Sequence, residues 1–175
     1  DESESRGLGD VYKRQYAEHP IEVAKMLADY QMDTSTLIAG LLHDVVEDTA
    51  YKLEDIQNQF GAEVAFMVDA VTKISEIQSQ SSQERKAETY RKFLISLAQE
   101  PRVLMIKICD RLHNMRTLNY IPKISKRNRI SQETIEVYAP LAHRFGLHKI
   151  KSELEDLSFK YLNPDQYKDL SLIHI

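Results

Sequence analysis

One cysteine, no tryptophan, five glycines and five prolines among 175 residues leave several architectures without their raw material. A lone thiol, Cys109, cannot build an internal disulfide framework and fits a reducing, cytoplasmic compartment. The residue itself reads as a small apolar core side chain. So little Gly and Pro excludes collagen-like and low-complexity chains. No stretch approaches the roughly 20 apolar residues that span a bilayer. The N-terminus, DESESRGLGDVYKRQ, has no apolar centre of the kind a signal peptide needs, so no membrane role is expected. Positive charge is also short: the formal net charge of −4 denies the chain the footprint of a general nucleic-acid binder.

What remains, 42% hydrophobic and 29% charged residues, is the profile of a helix-rich globular domain, and the length fits one core. Residues 1–15 show no apolar period and read as a tail or as sequence foreign to the domain. The domain is expected over residues 16–170, with a short tail at 171–175. Between the tails one helical pattern follows another with almost no strand alternation, so the fold class is all-α.

Pro20 opens a first helix to about Tyr30, with Ile21, Ala24, Leu27 and Ala28 on its apolar stripe. Asp33 or Thr34 then offers a cap for a helix over Thr36 to about Glu47. That helix is apolar nearly all round and therefore expected to be central. A short helix from Leu53 to Phe60 stops at Gly61. Val64, Met67, Val68 and Val71 form the next stripe, which fades by Ser79. IQSQSSQER reads as a loop, after which Tyr90, Phe93, Leu94 and Leu97 resume a helical period. Pro101 begins a second buried helix, running to about Leu118 on Val103, Leu104, Ile106, Ile108, Leu112 and Met115. Helices near Ser131–Tyr138 and Lys149–Tyr161 complete the bundle.

Two polar intrusions into these apolar helices carry the chemistry. HDVVED places His43, Asp44, Glu47 and Asp48 within two turns, where burial is costly without partners. Positions 43 and 47, and 44 and 48, are one turn apart and can crowd one face. One imidazole and three carboxyls there are acceptors awaiting a cation. The second intrusion, CDRLHNMRT, sets Asp110, His113, Asn114 and Thr117 along one face. Asp110 can complete a metal shell, and Asn114 and Thr117 can offer hydrogen bonds to a ligand beside it. His19, at the start of the first helix, is a further candidate donor. Arg111 can pair with an acidic side chain and His113 can lock packing. Lys123, Lys126, Arg127 and Arg129 read as a solvated helix start. Mixed nitrogen and oxygen donors suit Mn²⁺, Fe²⁺ or Zn²⁺ better than Ca²⁺, and such sites activate water for attack on phosphorus. Spacing alone does not choose the metal.

With YAEHPIEVAKMLA, AGLLHDVVEDT, RVLMIKICDRLHNMRTL and ETIEVYAPLAHRFGLHKIKSELEDLSFKYL, the chain resembles the HD-domain hydrolase module of the long RelA/SpoT homologues, over roughly Tyr16 to Leu170. The resemblance implies an HD-domain helical bundle and a manganese ion (Mn²⁺) held by His19, His43, Asp44 and Asp110. It implies that Glu47 and Asp48 act beside that ion on the attacking water and the leaving group, and that Asn114 and Thr117 contact the nucleotide. The implied reaction removes the 3′-pyrophosphate of ppGpp or pppGpp, leaving GDP or GTP. A full-length relative would add synthetase and regulatory domains. Two rival readings keep the same residues: an HD phosphohydrolase for another nucleotide, and a silent nucleotide-binding regulatory module. One departure stands out. Ahead of His19 and Pro20 the family carries basic residues and a Ser-Gly step, whereas here DVYKRQ offers only Lys13 and Arg14, placed nearer to His19. Weakened nucleotide affinity with an intact metal site is the expected consequence.

Overall fold

A computed structural model describes residues 18–79 and 100–173, and among these every regular element is helical. The tail expected over residues 1–15, the loop sequence beyond Ser79 and the period at Tyr90, Phe93, Leu94 and Leu97 lie outside the described residues. The backbone gathers into two compact units, Asp1–Asp110 and Arg111–Ile175.

In the first unit, α1 spans residues 18–29 and α2 spans Thr34–Leu42. A single turn, α3, follows at Val45–Asp48, then α4 at Leu53–Phe60 and α5 at Ala62–Ser79. Helix α6, Pro101–Arg116, begins in this unit. Helix α5 packs against α2, α3 and α4, and its Val64, Met67, Val68, Val71 and Ile74 are buried, extending the stripe read from sequence by one turn. On α6, Val103, Leu104, Ile106 and Ile108 are fully buried, as is Cys109.

Two sequence expectations need correction here. The buried stripe of α1 is Val23, Met26 and Leu27, while Ile21 is 46% exposed. Helix α2 is not apolar-packed all round: its buried residues are Thr36, Ala39 and Gly40, and Leu41 is 40% exposed. Small residues face inwards because α1 comes close. A Cβ added at Gly40 would lie 2.5 Å from Leu27 Cδ1. At the head of α2, Asp33 is the cap: its Oδ1 accepts from Thr36 N at 3.0 Å and its Oδ2 from the Thr36 hydroxyl at 2.9 Å. Arg102 draws the same carboxylate (3.3 Å) together with Glu63 (2.7 Å) and Glu100 (2.8 Å), pinning the start of α6 to α2 and α5.

In the second unit α6 ends on the buried Leu112 and Met115, and a 3-10 turn follows at Leu118–Tyr120. Helix α7, Ile124–Glu133, starts earlier than the sequence period indicated and runs through a widened π turn, Thr134–Tyr138, into α8, Ala139–Arg144. The π turn lies just ahead of Pro140, whose ring would press on the carbonyl of residue 136 in regular α register. Helix α9, His148–Leu162, buries Ile150, Leu154 and Ser158 and packs against α7, the π turn, α8 and a last helix, α10. Helix α10, Pro164–Ile173, continues past residue 170, where a tail was expected.

Candidate metal centre

His19 lies within the first described turn of α1, rather than ahead of the helix, and Asp110 lies on α6. His43 and Asp44 occupy the junction between α2 and α3. The helix expected to run unbroken to Glu47 is interrupted there: Asp44 adopts φ −99°, ψ −4°, in the sparsely populated bridge between helix and strand. His43 is fully buried, Asp44 half-buried, and Glu47 and Asp48 exposed.

The junction fixes the His43 ring. Its Nδ1 lies 2.7 Å from the Gly40 carbonyl oxygen, which can only accept, so Nδ1 carries the hydrogen and neutral His43 presents a lone pair at Nε2. That nitrogen is 3.4 Å from His19 Nε2, 3.2 Å from Asp44 Oδ1 and 3.9 Å from Asp110 Oδ1. His19 Nε2 is in turn 3.3 Å from Asp110 Oδ1 and 3.8 Å from Asp44 Oδ2. Acceptors turned towards acceptors in a buried place repel unless a proton or a cation sits among them.

The charges respond accordingly. Burial pulls the His43 pKa down, but the hydrogen bond to Asp44 and the carboxylates of Asp110 and Asp44 outweigh it, leaving it above the ordinary histidine value. For Asp110 burial works upwards, yet the Lys107 ammonium and the two imidazoles hold its carboxyl well below the usual range. Donor chemistry fits a divalent cation. His19, His43 and Asp110 each offer one ligand atom, all within 4.8 Å of one another, and Asp44 stands beside them.

The pKa of Glu47 is raised, first by burial of its carboxyl and then by the charge of Asp44. Asp48 sits at the end of the same short turn, its N–H bonded to the Asp44 carbonyl at 2.9 Å. Asn114 and Thr117 belong to the second unit. Asn114 is exposed, and the Thr117 hydroxyl donates to the His113 carbonyl at 3.0 Å. Arg111 pairs with Glu133 at 3.1 Å and covers the Tyr138 ring at 4.2 Å, the structural partnership foreseen for it, and His113 is half-buried. Of the basic cluster, Lys123, Lys126 and Arg129 are exposed, while Arg127 is half-buried and donates to the Ile121 carbonyl. Two residues escaped the sequence reading. Lys107 is only 6% exposed, with its Nζ 2.9 Å from Asp110 Oδ2 and 3.1 Å from Ser75 Oγ. A cation inside the apolar run VLMIKIC was the available signal.

Fold and site define a class first: a helical protein whose His and Asp side chains can hold a divalent metal ion. The model of the HD domain matches residues 5–148, and the chain belongs to the HD-domain family. It is 50% identical over 155 residues to a GTP pyrophosphokinase of Streptomyces coelicolor, a match covering 89% of this chain and 18% of that protein. To the bifunctional (p)ppGpp synthase/hydrolase SpoT of Escherichia coli K12 it is 44% identical over 167 residues, covering 95% of this chain and 23% of SpoT. The chain thus spans about a fifth of the length of these curated relatives. Among solved structures, a metazoan ortholog of SpoT described as hydrolysing ppGpp superimposes with TM-score 0.58 at 29% identity, over 85% of this chain and 82% of that one. A Listeria monocytogenes EGD-e protein, 23% identical with TM-score 0.58 over 83% of this chain and 96% of its own, shares the fold.

Proposed function

We propose that this chain hydrolyses the 3′-pyrophosphate of ppGpp and pppGpp, consuming water and releasing pyrophosphate with GDP or GTP. The observation that carries the reading is the meeting of His19, His43 and Asp110, their ligand atoms within 4.8 Å, beside Asp44 in a chain similar to proteins named for this hydrolysis. His19, His43, Asp44 and Asp110 would hold Mn²⁺, which when bound supplies Lewis acidity at phosphorus and a more acidic water. Glu47 positions that water and takes its proton, a role suited to a carboxyl whose pKa lies above the ordinary value. Asp48, on the same turn, handles the proton at the departing oxygen. Asn114 contributes an amide to the guanine nucleotide. Thr117 contributes its hydroxyl oxygen as an acceptor, because its hydrogen is engaged by the His113 carbonyl. Synthetase and regulatory domains belong to the full-length setting, and a reducing cytoplasm suits the buried thiol of Cys109.

The test is pyrophosphate release from ppGpp with Mn²⁺ and with EDTA. Wild type is expected to turn over only with the metal. Glu47→Gln should lower kcat about 10²–10⁴-fold, and Asp44→Ala should abolish metal-dependent turnover. Metal-dependent release from a different nucleotide but not ppGpp would reassign the substrate. No release from any nucleotide would leave a binding module.

A further inference from the structure

We propose that Lys107 is a positioning residue: anchored by Ser75 of α5, it decides which oxygen of Asp110 faces the metal pocket. The inference rests on the metal-binding reading above and deepens it. The two oxygens of Asp110 are divided. Oδ2 accepts from Lys107 Nζ at 2.9 Å, while Oδ1 is turned to His19 at 3.3 Å and to His43 at 3.9 Å. A lysine 6% exposed is tolerated only where its charge is matched, and three residues along α6 places it on the same helix face as Asp110. Both ends of this clamp sit on one rigid helix, so the carboxylate plane is set before any ion arrives.

Hydrogen-bond direction extends the chain of contacts. An ammonium only donates, so Ser75 Oγ accepts from Lys107 at 3.1 Å and keeps its own hydrogen. That hydrogen goes to the Val71 carbonyl at 3.3 Å, so Ser75 is fixed on its own helix as an acceptor for the ammonium. Lys107 is thereby held from α5 while it orients a metal ligand on α6, which a purely charge-balancing lysine would not do.

The two roles predict opposite signs. Removing a positive charge beside the pocket should tighten binding of a dication if Lys107 only balances charge. If Lys107 positions Asp110, the loss of orientation should dominate and weaken it. The experiment is Mn²⁺ affinity of the whole chain, read by calorimetry and by electron paramagnetic resonance of free Mn²⁺. Lys107→Met is expected to bind about 10–100-fold more weakly than wild type; affinity equal to or above wild type overturns the proposal. If Lys107→Met abolishes the helical circular dichroism, Lys107→Gln carries the same comparison. Should wild type bind Mn²⁺ yet leave ppGpp intact, the proposed reaction falls, and the affinity comparison still decides what Lys107 does.

Discussion

Two demands meet on the ring of His43. Without metal, a proton at Nε2 relieves the acceptors around it, and the raised pKa expresses that. With metal, the same nitrogen must be neutral. For a group whose folded pKa exceeds its unfolded value of about 6.5, the stabilisation is complete below that value and is lost as pH rises through the folded pKa. Metal binding runs the other way and strengthens over the same interval. The Tm difference between samples with Mn²⁺ and with EDTA is therefore expected to widen as pH rises above about 6.5; a difference constant with pH would contradict the assignment of His43. At this scale much of the candidate site was legible. His43, Asp44 and Asp110 announce themselves as charged or basic groups inside apolar helical runs. Lys107 gave the same kind of signal but passed unread, because a solitary lysine in a helix ordinarily extends its stem along the surface and keeps its charge in water. Ser75 gave no signal, since its role depends entirely on which helix lies opposite.

Helix ends show the same backbone solution used twice with different residues. At the end of α8, Leu147 N bonds Ala142 O at 2.9 Å and Gly146 N bonds His143 O at 3.0 Å, with Gly146 at φ 72°. At the end of α1, Met32 N bonds Leu27 O at 3.1 Å and Gln31 N bonds Ala28 O at 2.8 Å, with Gln31 at φ 55°. Both are Schellman closures, but a side chain in the left-handed region is strained where glycine is not. Gln31→Gly should stabilise the chain by about 0.5–1 kcal/mol, read as a higher urea midpoint at unchanged slope. A second element-level contact, Arg102, holds the Glu63 and Glu100 carboxyls below their ordinary pKa by hydrogen bonds. Asp33 is also lowered: its partial burial acts upwards but is outweighed by Thr36 and Arg102. Depressed carboxyls stabilise above the unfolded pKa, and the contribution is lost as pH falls through the folded values. Arg102→Met is expected to lower Tm by about 2–4 °C near neutrality and to flatten the fall in Tm on acidification below about pH 5. An acid limb as steep as that of wild type would show that Arg102 does not organise this cluster. Helix identities were readable from period, yet the break at His43 was not. HDVVED contains only residues a helix accepts, so no local pattern marks the bridge conformation of Asp44. The stripe of α1 was ambiguous for a related reason: two apolar series interleave there, and packing chose the one carrying Val23, Met26 and Leu27.

Over the whole molecule, all four proposed ligands fall within the first compact unit, Asp1–Asp110, although His19 and Asp110 lie far apart in sequence. A metal held by them closes a long loop of that unit and binds only when it is folded, so occupancy adds directly to stability. At free Mn²⁺ about 100 times its dissociation constant the gain is about 2.7 kcal/mol. At roughly 2–4 °C per kcal/mol for a chain of this size, that corresponds to a rise in Tm of about 5–10 °C. His19→Ala removes one ligand from the edge of the pocket and leaves the buried Lys107–Asp110 pair intact, so its metal-free Tm should stay near that of wild type while the Mn²⁺-induced rise disappears. Hydrogen exchange adds the spatial statement. Mn²⁺ should slow exchange in α2, in α5 and in α6 up to Asp110, with a smaller change in α9. Uniform slowing of both units would mean that metal binding and folding are coupled across the entire chain, whereas slowing confined to α9 would place the ion somewhere other than the pocket of His19, His43, Asp44 and Asp110.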